Sequence, residues 1–279
     1  MLHNIKSVLV GMTEEGMDEP SSALSYGLSL AHQAAAHATI QAASLKVVMG
    51  SAFISSVARE LVAGHNQRLR DAAEQLAIRA MGDATAAGVN CSVETPQLSY
   101  TELVNAAVAQ ARLQDVSILD AETDTINADR GLIEALVFNS GRPLIVVPAG
   151  VEEFRCERVL IAWDGSSRAA RALNDAMPIL KSATTVELVS VVSKEDLQEN
   201  VPGAEIAPHL VRHGVNVTVK GLAVSDDGAA ATLRDQASLF NADMIVMGAF
   251  NHSIMRQWML GGVTQELLKE CKVPLFMSY

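Results

Sequence analysis

The sequence predicts an α/β protein built as two tandem doubly wound domains, each a five-stranded parallel sheet with helices on both faces. Three observations predict it. Short apolar runs alternate with amphipathic stretches along the chain, the pattern of a parallel sheet covered on both sides. The run Lys6-Ser7-Val8-Leu9-Val10-Gly11 recurs as Arg158-Val159-Leu160-Ile161-Ala162-Trp163, each followed by a polar turn and a helical pattern. The two copies also close alike, Gly141-Arg142-Pro143-Leu144-Ile145-Val146-Val147-Pro148 matching Cys271-Lys272-Val273-Pro274-Leu275-Phe276-Met277-Ser278. A length of 279 residues independently favours two domains over one.

In chain order, the first strand gives way to a helix whose face is Ala23, Leu24, Gly27, Leu28, Leu30 and Ala31. Strand Ala38 to Ser44 precedes a long helical stretch from about Ser51 to Ala87. Strand Val89 to Glu94 leads to helix Tyr100 to Arg112, and strand Val116 to Leu119 to helix Gly131 to Asn139. A short polar link, Ala149 to Arg155, separates domain 1–150 from domain 155–279. In the second copy Ala169, Ala172, Leu173, Ala176, Met177 and Leu180 form one helix face. Strand Thr185 to Val192, a polar connection through Glu205, helix Ile206 to His213 and strand Val215 to Leu222 come next. Asp226 or Asp227 is expected to cap a helix from Asp227 to Phe240. A buried strand, Ala242 to Met247, then ends at Gly248.

Composition narrows the function. With 49% hydrophobic and only 4% aromatic residues, the cores are expected to be built of Ala, Val, Leu, Ile and Met. A formal charge of −11, with no basic cluster to offset it, argues against nucleic acid as a partner. Met1 to Lys6 carries no long apolar region or cleavage site, and no later run reaches roughly 18 apolar residues, so a cytoplasmic location is expected. Cys91, Cys156 and Cys271 lie far apart without a Cys-x-x-Cys pair and indicate neither a disulfide framework nor a zinc site.

The stretch that carries chemistry is Met247-Gly248-Ala249-Phe250-Asn251-His252-Ser253, followed by Leu260-Gly261-Gly262-Val263-Thr264 at the start of a helix with Val263, Leu267 and Leu268 on one face. Free N–H groups and the positive dipole end at a helix start favour phosphate. Glycines let the backbone approach it. Packing alone is the other reason for a glycine at such a turn.

This stretch resembles the C-terminal nucleotide motif of the universal stress protein family: Gly, two residues, Gly, nine residues, Gly, then Ser or Thr. Gly248 and Gly261 stand at the first and third glycines. Asn251 replaces the second, and Gly262 occupies the Ser/Thr position, with Thr264 two residues later. Asn is the non-Gly residue that best tolerates left-handed backbone, and Gly262 keeps its N–H while losing a hydroxyl. The strand and helix order of both copies resembles the family's adenine nucleotide alpha hydrolase-like fold. The resemblance implies ATP or another adenine nucleotide, with or without Mg2+. Asp164, in Trp163-Asp164-Gly165-Ser166-Ser167, matches the Asp that accepts from the adenine amino group, and Val191 with Val192 matches the adenine-flanking position.

Other readings stand beside these. Asp164 or Ser166 also suits a helix cap, and the valines suit a core. His252 and Arg256 are candidates for touching phosphate or are plain surface residues. His209 and His213 have metal-ligand spacing on a helix but no third ligand. Without Gly-Lys-Ser/Thr there is no lysine placed for γ-phosphate chemistry, so little or no hydrolysis is expected.

The first copy departs from the motif. It has Thr13 where Asp164 stands and Asp120 where Gly248 stands, with Glu122, Asp124 and Asp129 adding carboxylates that would repel phosphate. Asp115 to Pro143 spans 28 positions against 31 for Asp243 to Pro274, so its loop is shorter by three. The expectation is a stress-related regulatory protein with one nucleotide, held in the second half, and an unknown protein partner. The rival is a family member that has lost nucleotide binding and acts as an interaction scaffold. An ATP-cleaving enzyme would need a nucleophile or acceptor site that the sequence does not display. The closing strands, Leu144 to Val147 and Leu275 to Met277, are expected to pair antiparallel as an intramolecular pseudo-dimer, because an unpaired strand edge is a liability. A further homodimer is left open.

Overall fold

The computed structural model describes residues 2, 4–13, 21–48, 55–121, 128–199, 202–249 and 262–279. The first five long strands are β1 (Ser7–Thr13), β2 (His37–Leu45), β3 (Cys91–Glu94), β5 (Val116–Asp120) and β6 (Leu144–Val147), with a two-residue β4 (Gln97–Leu98) beside β2. Helices α1 (Ser22–Ala34), α2 (Ser56–Ala86), α3 (Tyr100–Ala111) and α4 (Ala128–Asn139) join them. Then come β7 (Arg158–Ala162), α5 (Ser167–Asp175), α6 (Met177–Leu180), β8 (Thr185–Val192), α7 (Lys194–Glu199), α8 (Ala207–Arg212) and β9 (Val217–Ala223). Last are α9 (Ala229–Phe240), β10 (Met244–Gly248), α10 (Gly262–Glu270) and β11 (Leu275–Ser278).

Side-chain oxygens set several helix starts, as capping chemistry requires. Ser21 accepts from the N–H of Leu24, and Ser55 from that of Ala58. Ahead of α3, both the N–H and the hydroxyl of Ser99 donate to Glu102, at 3.0 and 2.6 Å; these bonds, the hydroxyl's foremost, hold its carboxyl below the usual range. At α9 neither Asp226 nor Asp227 is the cap. Gly228, at φ 95°, takes that place, because Thr232 Oγ1 accepts from Ser225 N–H and donates to the Gly228 carbonyl, fixing the turn from inside the helix. The polar connection expected between β8 and Glu205 contains α7, where Ser193 Oγ accepts from Asp196 N–H in a helix too short to show an apolar period.

The strands form one sheet in the order β3-β2-β1-β5-β6-β11-β10-β7-β8-β9. Every neighbouring pair is parallel except β6 and β11, which run antiparallel with Leu275 opposite Val146, Phe276 opposite Ile145 and Met277 opposite Leu144. The antiparallel pairing of the closing strands is therefore present. Successive strand residues face opposite sides, which splits the core. Val8, Val10, Ile118, Val159, Ile161 and Val246 pack with α1 and α5 on one face, while Leu9, Leu119, Leu160, Ile245 and Met247 pack with α3, α4, α9 and α10 on the other.

The stretch between β6 and β7 is not a loose polar link. Phe154 is 1% exposed, its ring edge-on to that of Tyr26 at 5.4 Å. Its N–H donates to Ser29 Oγ at 3.1 Å, its carbonyl accepts from Gln33 Nε2 at 2.8 Å, and the N–H of Gly150 donates to Ser22 Oγ at 2.9 Å. Four side chains of α1 thus hold the connection along the helix.

Candidate functional site

A cavity of about 320 Å³ opens at the carboxyl ends of β7, β8 and β10, where open α/β sheets bind ligands. Asp164 follows β7. Its Oδ1 accepts from Ser166 N–H at 2.9 Å, which turns the chain and fixes the carboxylate; among the described residues Oδ2 takes no bond. Ser166, by contrast, is the N-cap of α5, its hydroxyl accepting from Ala169 N–H. Of the two residues offered as the cap for this helix, Ser166 is the one that fills the place. Val191 lines the cavity together with Val189, two positions back on the same face of β8.

From α10, Gly262, Val263 and Thr264 complete the wall. Thr264 is fully buried, and its hydroxyl has no hydrogen-bond partner among the described residues. A buried orphan hydroxyl carries a desolvation cost that a ligand oxygen would relieve. Among the described residues nothing lies within 4 Å of where a Cβ on Gly262 would sit.

Gly248 also lines the cavity, and the reason for a glycine there is contact with α5. A Cβ would stand 2.6 Å from the backbone nitrogen of Ala169 and 2.6 Å from the carbonyl carbon of Arg168. The steric reading of this glycine is correct, whatever the cavity holds. Asp164, Val191, Gly248, Gly262, Val263 and Thr264 are thus brought together from separate elements. Asn251, His252, Arg256 and Gly261 lie outside the described residues.

The sequence reading missed Ala162, Trp163, Ala229, Leu233 and Met247, which also line the cavity. Ala229 and Leu233 are one helical turn apart at the start of α9, and their spacing was the signal that could have found them. Trp163 is 9% exposed and donates its indole N–H to Glu205 Oε1 at 3.0 Å. The Glu205 carboxyl is held below the usual range by its own backbone N–H first and by this indole second.

The corresponding strand end in the first half is filled. Asp120, last in β5, accepts from Ser21 Oγ and from Ala23 N–H, each at 2.7 Å. Burial raises its carboxyl above the usual aspartate range in spite of these bonds. Glu122 and Asp124 lie outside the described residues, and the side chains of Thr13 and Asp129 are not described. His209 and His213 of the second half stack edge-on at 4.6 Å, and among the described residues no three His, Cys, Asp or Glu side chains gather as a metal would need. None of the described helices is long and apolar enough to cross a membrane.

Comparison with known proteins places this geometry. A universal stress protein from Archaeoglobus fulgidus DSM 4304 superposes with a TM-score of 0.70 at 15% identity, over 98% of this chain and 97% of its own. A functionally unknown protein, PA1789, from Pseudomonas aeruginosa PAO1 gives 0.55 at 15% identity, over 99% and 93%. At these identities the likeness concerns the fold. No curated protein sequence matches the chain. Residues 156–278, which hold the whole of the cavity, match the model of the Universal stress protein family.

Proposed function

We propose that the cavity of the second half binds an adenine nucleotide, ATP or ADP, and that the protein is a stress-related regulatory binding module with little or no hydrolysis. The observation that carries this is the convergence on one apolar slot of Asp164, an acceptor for an adenine amino group, with the first turn of α10 at its other end. The base lies between Val189 and Val191 on one side and Ala229 and Leu233 on the other, and the phosphates lead toward the N–H groups of α10. The halves, 1–150 and 155–279, have separate fates: only the second takes nucleotide, because Asp120 fills the matching strand end of the first.

Calorimetric titration with ATP tests the reading. A stoichiometry near one per chain, lost in Asp164→Ala, is expected. A stoichiometry near two, or turnover in the 1–10³ s⁻¹ range typical of enzymes, overturns it. The absence of a hydroxyl at Gly262 favours the rival scaffold function. That reading predicts no nucleotide by mass spectrometry of the denatured protein and no heat on titration.

A further inference from the structure

We infer that Trp163 and Glu205 are positioning residues for Asp164, and so determine how strictly the site demands an amino group on the base. The inference rests on the adenine reading of the cavity. Trp163 belongs to both sides of the sheet. Its N–H extends the ladder by donating to the Val189 carbonyl at 2.8 Å, and the residue lines the cavity. Its indole reaches the opposite face of β8, beside Gly203 and Ser190: a Cβ on Gly203 would stand 3.2 Å from Trp163 Cδ1 and 3.2 Å from Ser190 Oγ. There the indole N–H is held by Glu205.

That anchor is itself fixed. Gly203 is buried at φ 86°, where an L side chain is strained, and a Cβ would also meet Leu188 Cδ2 at 2.4 Å. Glu205 therefore follows a turn that only glycine lets lie flat on β8. Asp164 is the next residue after Trp163, and its Oδ1 is already committed to Ser166. The indole fixes one end of this short loop and the α5 cap fixes the other, leaving Oδ2 pointed by two restraints. By strand register, with Val8 beside Val116 as Val159 is beside Met244, Met12 stands at the matching position of the first half, and its side chain has no donor to offer.

The test is the affinity ratio between ATP and inosine triphosphate, which carries a carbonyl oxygen where adenine has its amino group. The wild-type protein is expected to prefer ATP. Glu205→Ala, at an exposed position that tolerates truncation, is expected to shrink the ratio roughly five-fold, the value of one ordinary hydrogen bond. Trp163→Phe should do the same. Glu205→Gln retains the oxygen that accepts from the indole and should restore the ratio. A merely structural role would weaken both nucleotides together and leave the ratio alone. Wild-type protein that binds neither nucleotide, or both alike, overturns the adenine reading and this inference with it. A wild type that discriminates and a Glu205→Ala variant that discriminates equally overturn the inference alone.

Discussion

Asp120 Oδ1 accepts a 2.7 Å hydrogen bond from the backbone N–H of Ala23, so the first turn of α1 carries a carboxyl group supplied by its own chain. The second half has Gly248 at the matching strand end, flush against the first turn of α5. One half has closed this position with a carboxyl group, the other with the absence of a side chain.

Asp120 should make the first half respond to pH in the direction opposite to a usual aspartate. Burial raises its carboxyl, so the folded state favours the neutral form. The stability it contributes is complete below the ordinary aspartate range and is lost as pH rises through the raised value. Asp120→Asn keeps the acceptor for Ala23 N–H and removes the charge. We expect it to equal the wild type near about pH 3 and to be the more stable of the two at about pH 7. Urea titrations at both values measure the difference, and a variant less stable at neutral pH would show that the ionised carboxylate is preferred.

Thr264→Val replaces a buried hydroxyl, without a partner among the described residues, with a methyl of the same shape. The unliganded protein should gain about 1 kcal/mol, since the orphan's desolvation cost disappears. Nucleotide affinity should fall at the same time. Calorimetry of unfolding and of binding reads the two effects, and a variant that loses stability while binding ATP normally would confine Thr264 to packing.

Gly262→Ser restores the hydroxyl that the family motif has at this position. The described residues leave space for it, and serine suits a helix start. ATP affinity should rise by about three- to ten-fold with little change in melting temperature, one hydrogen bond being worth about 0.5–1.5 kcal/mol. An unchanged affinity would mean that the phosphates do not reach α10.

Gly248→Ala should cost about 1–3 kcal/mol of stability through overpacking against the backbone of α5. The loss belongs to the fold, so it should be equally large with and without nucleotide. Denaturant midpoints under both conditions settle whether the glycine serves the helix contact or the ligand.

Local chemistry decided what could be read in advance. The strands were legible because Val, Ile and Leu runs bounded by turns leave few alternatives, and the spans Thr185–Val192 and Tyr100–Ala111 fell almost where expected. The cap of α9 was not, because Thr232 sets it from inside the helix, four residues from the turn. Asp164 could be placed in a site but not told apart from Ser166 as a cap, since both are good caps and only coordinates show which hydroxyl or carboxylate meets which N–H. Gly248 carried both a phosphate and a packing reason in the sequence, and the packing contact with Arg168 and Ala169, some eighty positions earlier, leaves no trace beside it. Trp163 went unnoticed because its partner Glu205 is distant in the chain.

The seating of Phe154 limits what kind of machine this can be. A hinge needs a strip of backbone free to change its dihedral angles, and the only chain crossing between the halves is tied to α1 by an aromatic contact and three hydrogen bonds. Opening and shutting of one half against the other is restrained by these contacts. On the binding role proposed above, a message from the second half travels as small shifts across the ladder between Phe276 and Ile145, or leaves directly from the surface around the cavity mouth.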